Sequence, residues 1–326
     1  MSQQDRRMIP GETKALVPGG YVDFPITRAQ DLDLHSILLQ ITGTISTTTA
    51  FSGTAPDYAQ LLSSFQVIAD GDVLQNGTGR FLALGQQYRS TLFSYNAPPV
   101  ATVGTQTIVH QYVVDFSSVD GLNPKDSILR TGVYGSLVLR VYAPQVADLF
   151  QVGAGAGTFT ALNGTLGYRF SQEYGARSIP FVRTLYSAQG TSIATAQGIP
   201  GVEIKLQASG AGTWIKGVFI EAYNTQTRAY SATAITNISM GQIHDKWIDL
   251  PEPLMRGFNA YDFETTPRSG QYLVDLIRVS EGMGRLTDAR DLTGIAEPRV
   301  WLATAGGVNI VCDIHAYGFK VARQPA

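Results

Sequence analysis

The sequence predicts an all-β protein made of two tandem eight-stranded antiparallel β-sandwiches with few short helices. Three observations carry this reading. Apolar segments of strand length and composition recur along the whole chain. Short sequence echoes return at an offset near half of the 326 residues. Helical periodicity is scarce throughout.

Strands are expected at 37–46 (ILLQITGTIS), 107–117 (TIVHQYVVDFS), 136–142 (SLVLRVY), 214–223 (WIKGVFIEAY) and 308–322. All are rich in Val, Ile, Thr, Tyr and Phe and are bounded by turn residues. In the last, Val308, Ile310, Cys312, Ile314, Ala316, Gly318 and Lys320 share one face. Asn309, Asp313 and His315 share the other, which reads as the wet side. A helix is expected over 80–92, where Phe81, Leu84 and Tyr88 have helix-compatible spacing, and a short turn of helix over 144–151.

The echoes occur in order. QYVVDF at 111–116 returns as QYLVDL 160 residues later, at 271–276. DSILRTG at 126–132 returns as DARDLTG at 288–294, and each copy leads into a strand, at Leu137 and at Arg299. Upstream, LQITG at 39–43 is echoed by LQASG at 206–210. These set a polar arm at 1–20, a first unit at 21–175 and a second at 176–326. Units of about 150 residues suit two packed antiparallel sheets of the jelly-roll type, which manage their own edges. Immunoglobulin-like sandwiches rank lower, because they run to about 100 residues and the Cys…Trp…Cys pattern is missing.

Composition narrows the function classes. The formal net charge is −2, so no excess of cations argues for wrapping nucleic acid. Charged residues make up 15%, against roughly 25% in an average soluble domain, and a chain so poor in charge is suited to hiding surface against other chains. A single cysteine, Cys312, excludes an intrachain disulfide framework and a multi-Cys metal site. The opening MSQQDRRMIPGETKALVPGG has no apolar core of the kind a signal peptide needs. Sequons at Asn76, Asn163 and Asn237 then read as turn chemistry.

The strand–Asp-Gly–strand run at 67–74, the Gln-Tyr-x-Val-Asp strand with its Asp/Gly-rich sequel in both halves, and the closing strand at 308–321 carry a resemblance. The chain resembles the double jelly-roll major capsid proteins of tailless, membrane-containing icosahedral viruses, the tectivirus- and corticovirus-like bacteriophages especially. The resemblance is architectural and spans about residues 21–323. It implies a homotrimer whose six jelly rolls form a pseudo-hexameric tile, neighbouring trimers in a shell, vertex or minor capsid proteins as further partners, and contact with a viral membrane. It implies residence in the virion capsid, with the host cytoplasm before assembly. No enzymatic activity, cofactor or sequence-specific nucleic-acid binding follows from it. The arm, with Arg6, Arg7 and Lys14, would then lie at the inner face near anionic headgroups; a disordered terminus accounts for the same residues. Alternatives are a carbohydrate-binding or adhesin-type β-sandwich and a jelly-roll hydrolase.

Residues with chemical potential form no recognised constellation. His35, His110, His244 and His315 lie in no zinc-ligand spacing, and no serine sits in a nucleophile elbow. Asp313 and His315 share a strand face, most simply a solvated one. Cys312 points to the apolar side, and His244-Asp245-Lys246 reads as loop polarity. A structural calcium ion would draw on Asp31/Asp33, Asp70/Asp72 or Asp288/Asp291, none of which has EF-hand spacing.

One stretch invites a nucleotide-binding reading: FQVIADGDVLQNGTGRFLALGQQY, at 65–88, orders strand, Gly-rich loop and helix. It lacks the third glycine of GxGxxG and the Gly-Lys-Ser/Thr of a Walker loop. Asp70-Gly71 between apolar runs reads as a hairpin turn instead. The corresponding stretch of the second half is expected at 220–233, which has no Gly-rich loop.

Overall fold

The period-two segments pair as antiparallel strands in the computed structural model of the chain. It describes residues 6–27, 32–48, 59–89, 103–116, 128–149, 157–171, 182–183, 191–194, 202–205, 213–224, 230–263, 270–276, 290–292, 295, 298–305 and 309–321. Two compact units divide the chain, Met1–Gln87 with Leu92–Thr184 and Tyr88–Thr91 with Leu185–Ala326. Backbone pairing places Val182–Arg183 in a sheet of the second unit.

In the first unit the elements are β1 (Arg6–Ala15), β2 (Tyr21–Pro25), β3 (Asp33–Thr47), β4 (Ser64–Ala69), β5 (Asp72–Gly77), helix α1 (Gly79–Arg89), β6 (Gly104–Asp115), β7 (Leu129–Arg130), β8 (Leu137–Tyr142), the single turn α2 (Val146–Leu149) and β9 (Thr158–Ser171). One sheet runs β1-β9-β3-β6, with β7 beside β3; the other runs β2-β8-β4-β5. Strand β3 is the spine. Its residues Ser36–Thr47 face Asp115–Gly104 without a break in register. Ile37, Leu39, Ile41 and Ile45 point inward with no more than 1% exposure, as period two requires of a half-buried strand.

The second unit holds β10 (Val182–Arg183), β11 (Thr191–Ala194), β12 (Val202–Lys205), β13 (Thr213–Asn224), β14 (Ile235–Gln242), β15 (Asp245–Pro251), helix α3 (Glu252–Phe263), β16 (Gln271–Asp275), β17 (Arg290–Asp291), β18 (Arg299–Thr304) and β19 (Ile310–Val321). Its sheets run β10-β19-β13-β16 and β12-β18-β14-β15, with β17 beside β13 and β11 beside β19. Set aside β7, β11 and β17, and each unit has eight principal strands in the orders 1-8-3-6 and 2-7-4-5. That is the jelly-roll order, twice. The inner faces of the second pair of sheets meet in one core that includes Val218, Ile220, Tyr272, Cys312, Ile238, Met240, Val300 and Leu302.

The echoes at 111–116 and 271–276 fall on equivalent strands, β6 and β16, each paired to its central strand. Those at 126–132 and 288–294 contain β7 and β17, which pair with the starts of β3 and β13. The echo of 39–43 is different. The strand equivalent to β3 begins at Thr213, and 206–210 lies outside the described residues. The junction expected at 175/176 also lies outside them.

Other expectations are corrected. Over Arg6–Ala15 the arm at 1–20 is an integral strand, hydrogen-bonded to β9 from Arg6↔Ser171 to Ala15↔Asn163. The polar sequence left a disordered terminus open, but an edge strand needs only one partner and little apolar surface. The three sequon asparagines sit in strands, not turns: Asn76 in β5, Asn163 in β9 and Asn237 in β14. Two of the following glycines serve packing, since a Cβ at Gly77 would stand 2.8 Å from the Phe65 ring and one at Gly164 3.1 Å from the Phe24 ring.

In the stretch at 65–88, β4 and β5 form the hairpin, with Asp70 at φ 49° and Gly71 at φ 91°, the paired positive angles of a two-residue turn. Thr78 caps α1 by accepting from the Phe81 amide at 3.1 Å. Gly79 is pressed against the chain itself: a Cβ there would meet the Ala59 carbonyl at 2.2 Å, and its amide donates to the Leu62 carbonyl. The first amide of α1 is therefore already engaged within the chain. The matching hairpin of the second unit is β14–β15, followed by α3, and not 220–233. It was hidden because its turn is Ile243-His244, with no Asp-Gly signature. Helix α3 went unpredicted because apolar residues lie all round it: Met255 is buried, while Leu254, Phe258 and Tyr261 are exposed.

Candidate assembly surfaces

From Leu38 to Ser46 of β3 and opposite them on β6 and β9, the outward side chains of the first unit's larger sheet form a polar face without ionisable groups, bounded at one end by Asp115 and Arg169 on either side of Ser36. On β3 it presents Leu38, Gln40, Thr42, Thr44 and Ser46; opposite them on β6 stand Val113, Gln111, Val109, Thr107 and Thr105. On β9, Gly167, Thr165, Asn163 and Ala161 flank the same β3 residues. The face is knitted laterally: the Gln111 amide donates to Gln40 Oε1 at 2.9 Å, and Thr44 and Thr107 hydroxyls lie 3.2 Å apart. Leu38 and Val109 are 38% and 47% exposed. The Gln and Thr pairs join β3 to β6 without charge.

The equivalent face of the second unit is closed. Glu221 opposes Gln271 on β13 and β16 as Gln40 opposes Gln111, and Phe219 opposes Leu273 as Leu38 opposes Val113. All four second-unit residues are no more than 3% exposed. Burying a carboxylate demands hydrogen bonds. Glu221 Oε1 accepts from the Tyr230 hydroxyl at 2.8 Å and from the Gln271 amide at 3.0 Å. On the same side the Tyr223 hydroxyl donates to Asp313 at 2.8 Å.

Helix α3 closes the edge of that sheet. Asn259 donates to the Leu273 carbonyl at 2.6 Å and accepts from the Leu273 amide at 2.9 Å, so one side chain completes an edge-strand peptide. At its start, Glu252 accepts from the buried Tyr272 hydroxyl at 3.0 Å. Burial, with the Glu252 carboxylate close by, pushes that phenol's pKa well up. The opposite side of α3 turns Leu254, Phe258 and Tyr261 outward at 55%, 52% and 83% exposure, spaced i, i+4, i+7.

The residues singled out from sequence are dispersed. Arg6 and Arg7 start β1 and Lys14 nearly ends it, about 23 Å away along an extended strand. Lys14 is engaged in its own unit: its ammonium donates to the Asp23 carbonyl at 2.9 Å, pairs with Glu12 at 3.0 Å and lies 5.5 Å from the Phe24 ring centre. His35 bonds Ser171, and His244 is exposed in a turn. His110 packs 4.6 Å from Tyr112, where burial lowers its pKa to about 4. His315, expected on a wet face with Asp313, is 3% exposed beside Phe219, because that face is covered. Cys312 is fully buried and its thiol is pushed up to about 12, chiefly by burial. Asp70 receives the Gly135 and Ser136 amides at 3.1 and 2.6 Å and so pins the β4–β5 turn. Asp33, Asp72 and Asp291 are in strands, while Asp31 and Asp288 lie outside the described residues. Among the described residues no group of three or more His, Cys, Asp or Glu is placed to hold a metal ion.

Neither the neutral face nor the α3 stripe was picked out from sequence, though each left a signal. The face shows as the alternation at 38–46 and 105–113, with Thr, Ser and Gln at every second place. Pro253 in the first helical turn, with apolar residues at 254, 258 and 261, marks the stripe.

No protein-family model and no curated protein sequence matches the chain. Solved structures do match, end to end. The STIV MCP aligns with a TM-score of 0.68 at 13% identity, over 98% of this chain and 97% of that one. The major capsid protein P2 from bacteriophage PM2 aligns at 0.64 and 11%, over 99% and 100%. The PBCV-1 virus capsid protein aligns at 0.68 and 10%, over 98% and 94%. With the strand orders already traced in both units, these alignments identify the fold of this chain as the double jelly roll.

Proposed function

We propose that this chain is the major structural subunit of an icosahedral virus shell. The observation that carries the reading is the tandem pair of jelly rolls with identical strand order, matched from end to end by proteins described as major capsid proteins. A duplicated jelly roll lets a homotrimer present six similar lobes, so that a threefold object fills a site of local sixfold symmetry. Low charge, 15% of residues, and a broad neutral sheet face support burial against further copies. In this reading the protein acts by assembly and not by catalysis. Its partners are its own copies, then neighbouring trimers, vertex or minor capsid proteins and an internal membrane, and it passes from the host cytoplasm into the virion capsid.

Light scattering and native mass spectrometry of the purified chain test this directly. The expected species has three times the 35.1 kDa chain mass, and negative-stain images show a six-lobed outline. A species that stays at 35.1 kDa at micromolar concentration sinks the proposal.

A further inference from the structure

We infer that the neutral outer face of β3, β6 and β9 is the seat of a second copy of this chain, and that helix α3 of that copy occupies it through Leu254, Phe258 and Tyr261. The inference rests on the self-assembly reading and assigns it a specific contact.

The two jelly rolls provide the first argument. At equivalent positions the second unit covers Phe219, Glu221, Gln271 and Leu273, whereas the first leaves Leu38 and Gln111 exposed and Gln40 and Val113 half-buried. One fold thus shows the same face in a covered and an uncovered state.

Electrostatics selects the occupant. The uncovered face has no ionisable side chain on β3 from Leu38 to Ser46, on β6 from Thr105 to Val113, or opposite them on β9. A nucleic acid would need cations there, and an anionic membrane surface would need a basic cluster. A neutral partner with apolar anchors suits it, and three of the four exposed large apolar side chains among the second unit's described residues are those of the α3 stripe. Aromatic anchors rimmed by neutral polar groups are what protein–protein contacts use.

Size agrees as well. Twelve helical residues span about 18 Å. From Leu38 to Ser46 the face is about 27 Å long, and three strands are about 14 Å wide. Seat and helix lie on different units of one chain, so the contact is heterologous: every copy offers one of each, and a suitable rotation closes a ring without free ends.

Phe258→Asp and Val109→Lys, both at exposed positions, test the two sides separately, with thermal melting as the check that each variant folds. Each is expected to shift the wild-type trimer to monomer at micromolar concentration, with an unchanged melt of the monomeric chain. Because Cys312 is buried, Val109→Cys mixed with Phe258→Cys and treated with a mild added oxidant such as copper phenanthroline should give an interchain disulfide that neither variant gives alone. A trimeric wild type with both charged variants still trimeric overturns the assigned contact and leaves the capsid reading standing. If only Phe258→Asp dissociates the trimer, α3 docks elsewhere and the seat is wrong. A wild type that is monomeric throughout overturns the capsid reading as well. Flotation of the wild type with phosphatidylglycerol vesicles, lost in Phe258→Asp, assigns the stripe to lipid and overturns the inference.

Discussion

Tyr112 and Tyr272 occupy the same place in the two jelly rolls, yet each closes a different part of its unit. Both sit inward on the strand that pairs with the spine, opposite Leu39 and Ile220, and both are fully buried. In the first unit the hydroxyl accepts from the Leu62 amide at 3.1 Å and donates to the Ala59 carbonyl at 2.9 Å, fixing the chain that enters β4. In the second it donates to Glu252 and fixes the start of α3. One step outward on the same strands, Gln111 is exposed and Gln271 is buried. The duplicated fold therefore holds inward residues to a common role, set by the core between the sheets. Outward residues are free to differ, since each answers to whatever covers its face.

Three experiments can break or sharpen that comparison. The largest effect is expected from Tyr112→Ala and Tyr272→Ala, each costing about 3–5 kcal/mol through lost burial and a cavity. Tyr112→Phe separates the hydroxyl from the ring. It should cost about 2 kcal/mol, and more than Tyr272→Phe, because it strips two backbone groups of their partner. Urea unfolding measures all four; equal losses for the two Phe variants would mean that the hydroxyls do not fix different segments.

The next contrast is Glu221→Ala against Gln40→Ala. The first leaves Tyr230 and Gln271 without their shared acceptor in a buried setting and should cost about 2 kcal/mol. The second removes an exposed amide pair and should stay within about 0.5 kcal/mol. Similar values for both would show that the two outer faces are not differently covered.

The smallest effect is acid sensitivity. His110 lies one position before Gln111, and Gly270 precedes Gln271 in the second unit. Its folded pKa is lowered to about 4 by burial, against an ordinary value of 6.5. Above pH 6.5 the ring is neutral in both states and contributes no pH dependence. Between 6.5 and about 4 the unfolded chain takes up a proton that the folded chain refuses, so stability falls as pH falls, by at most about 1.4 kcal/mol per pH unit. His110→Asn should flatten that limb in urea titrations at pH 7, 5.5 and 4.5; an unaltered slope assigns the acid sensitivity to other groups.

By itself the sequence determined the all-β class, the duplication and the Asp70-Gly71 turn. Each is encoded locally: side-chain alternation follows from the two-residue period of a strand, and Asp-Gly tolerates positive φ where few residues do. The QYxVD echo located equivalent strands because it mixes an inward tyrosine with an outward glutamine at one register. Where local code was ambiguous, tertiary structure decided. Asn-Gly at 76–77 and 163–164 has turn chemistry, but Phe65 and Phe24 pack where a Cβ would stand, and strand pairing overrides the local preference. Arg6–Ala15 is too polar to announce a strand and becomes one by hydrogen bonding to β9. Coverage of the outer faces was beyond local reading altogether. His315 and Thr42 each stand on the outer side of a strand in a period-two pattern, and only the packing of the folded chain leaves one buried and the other partly open.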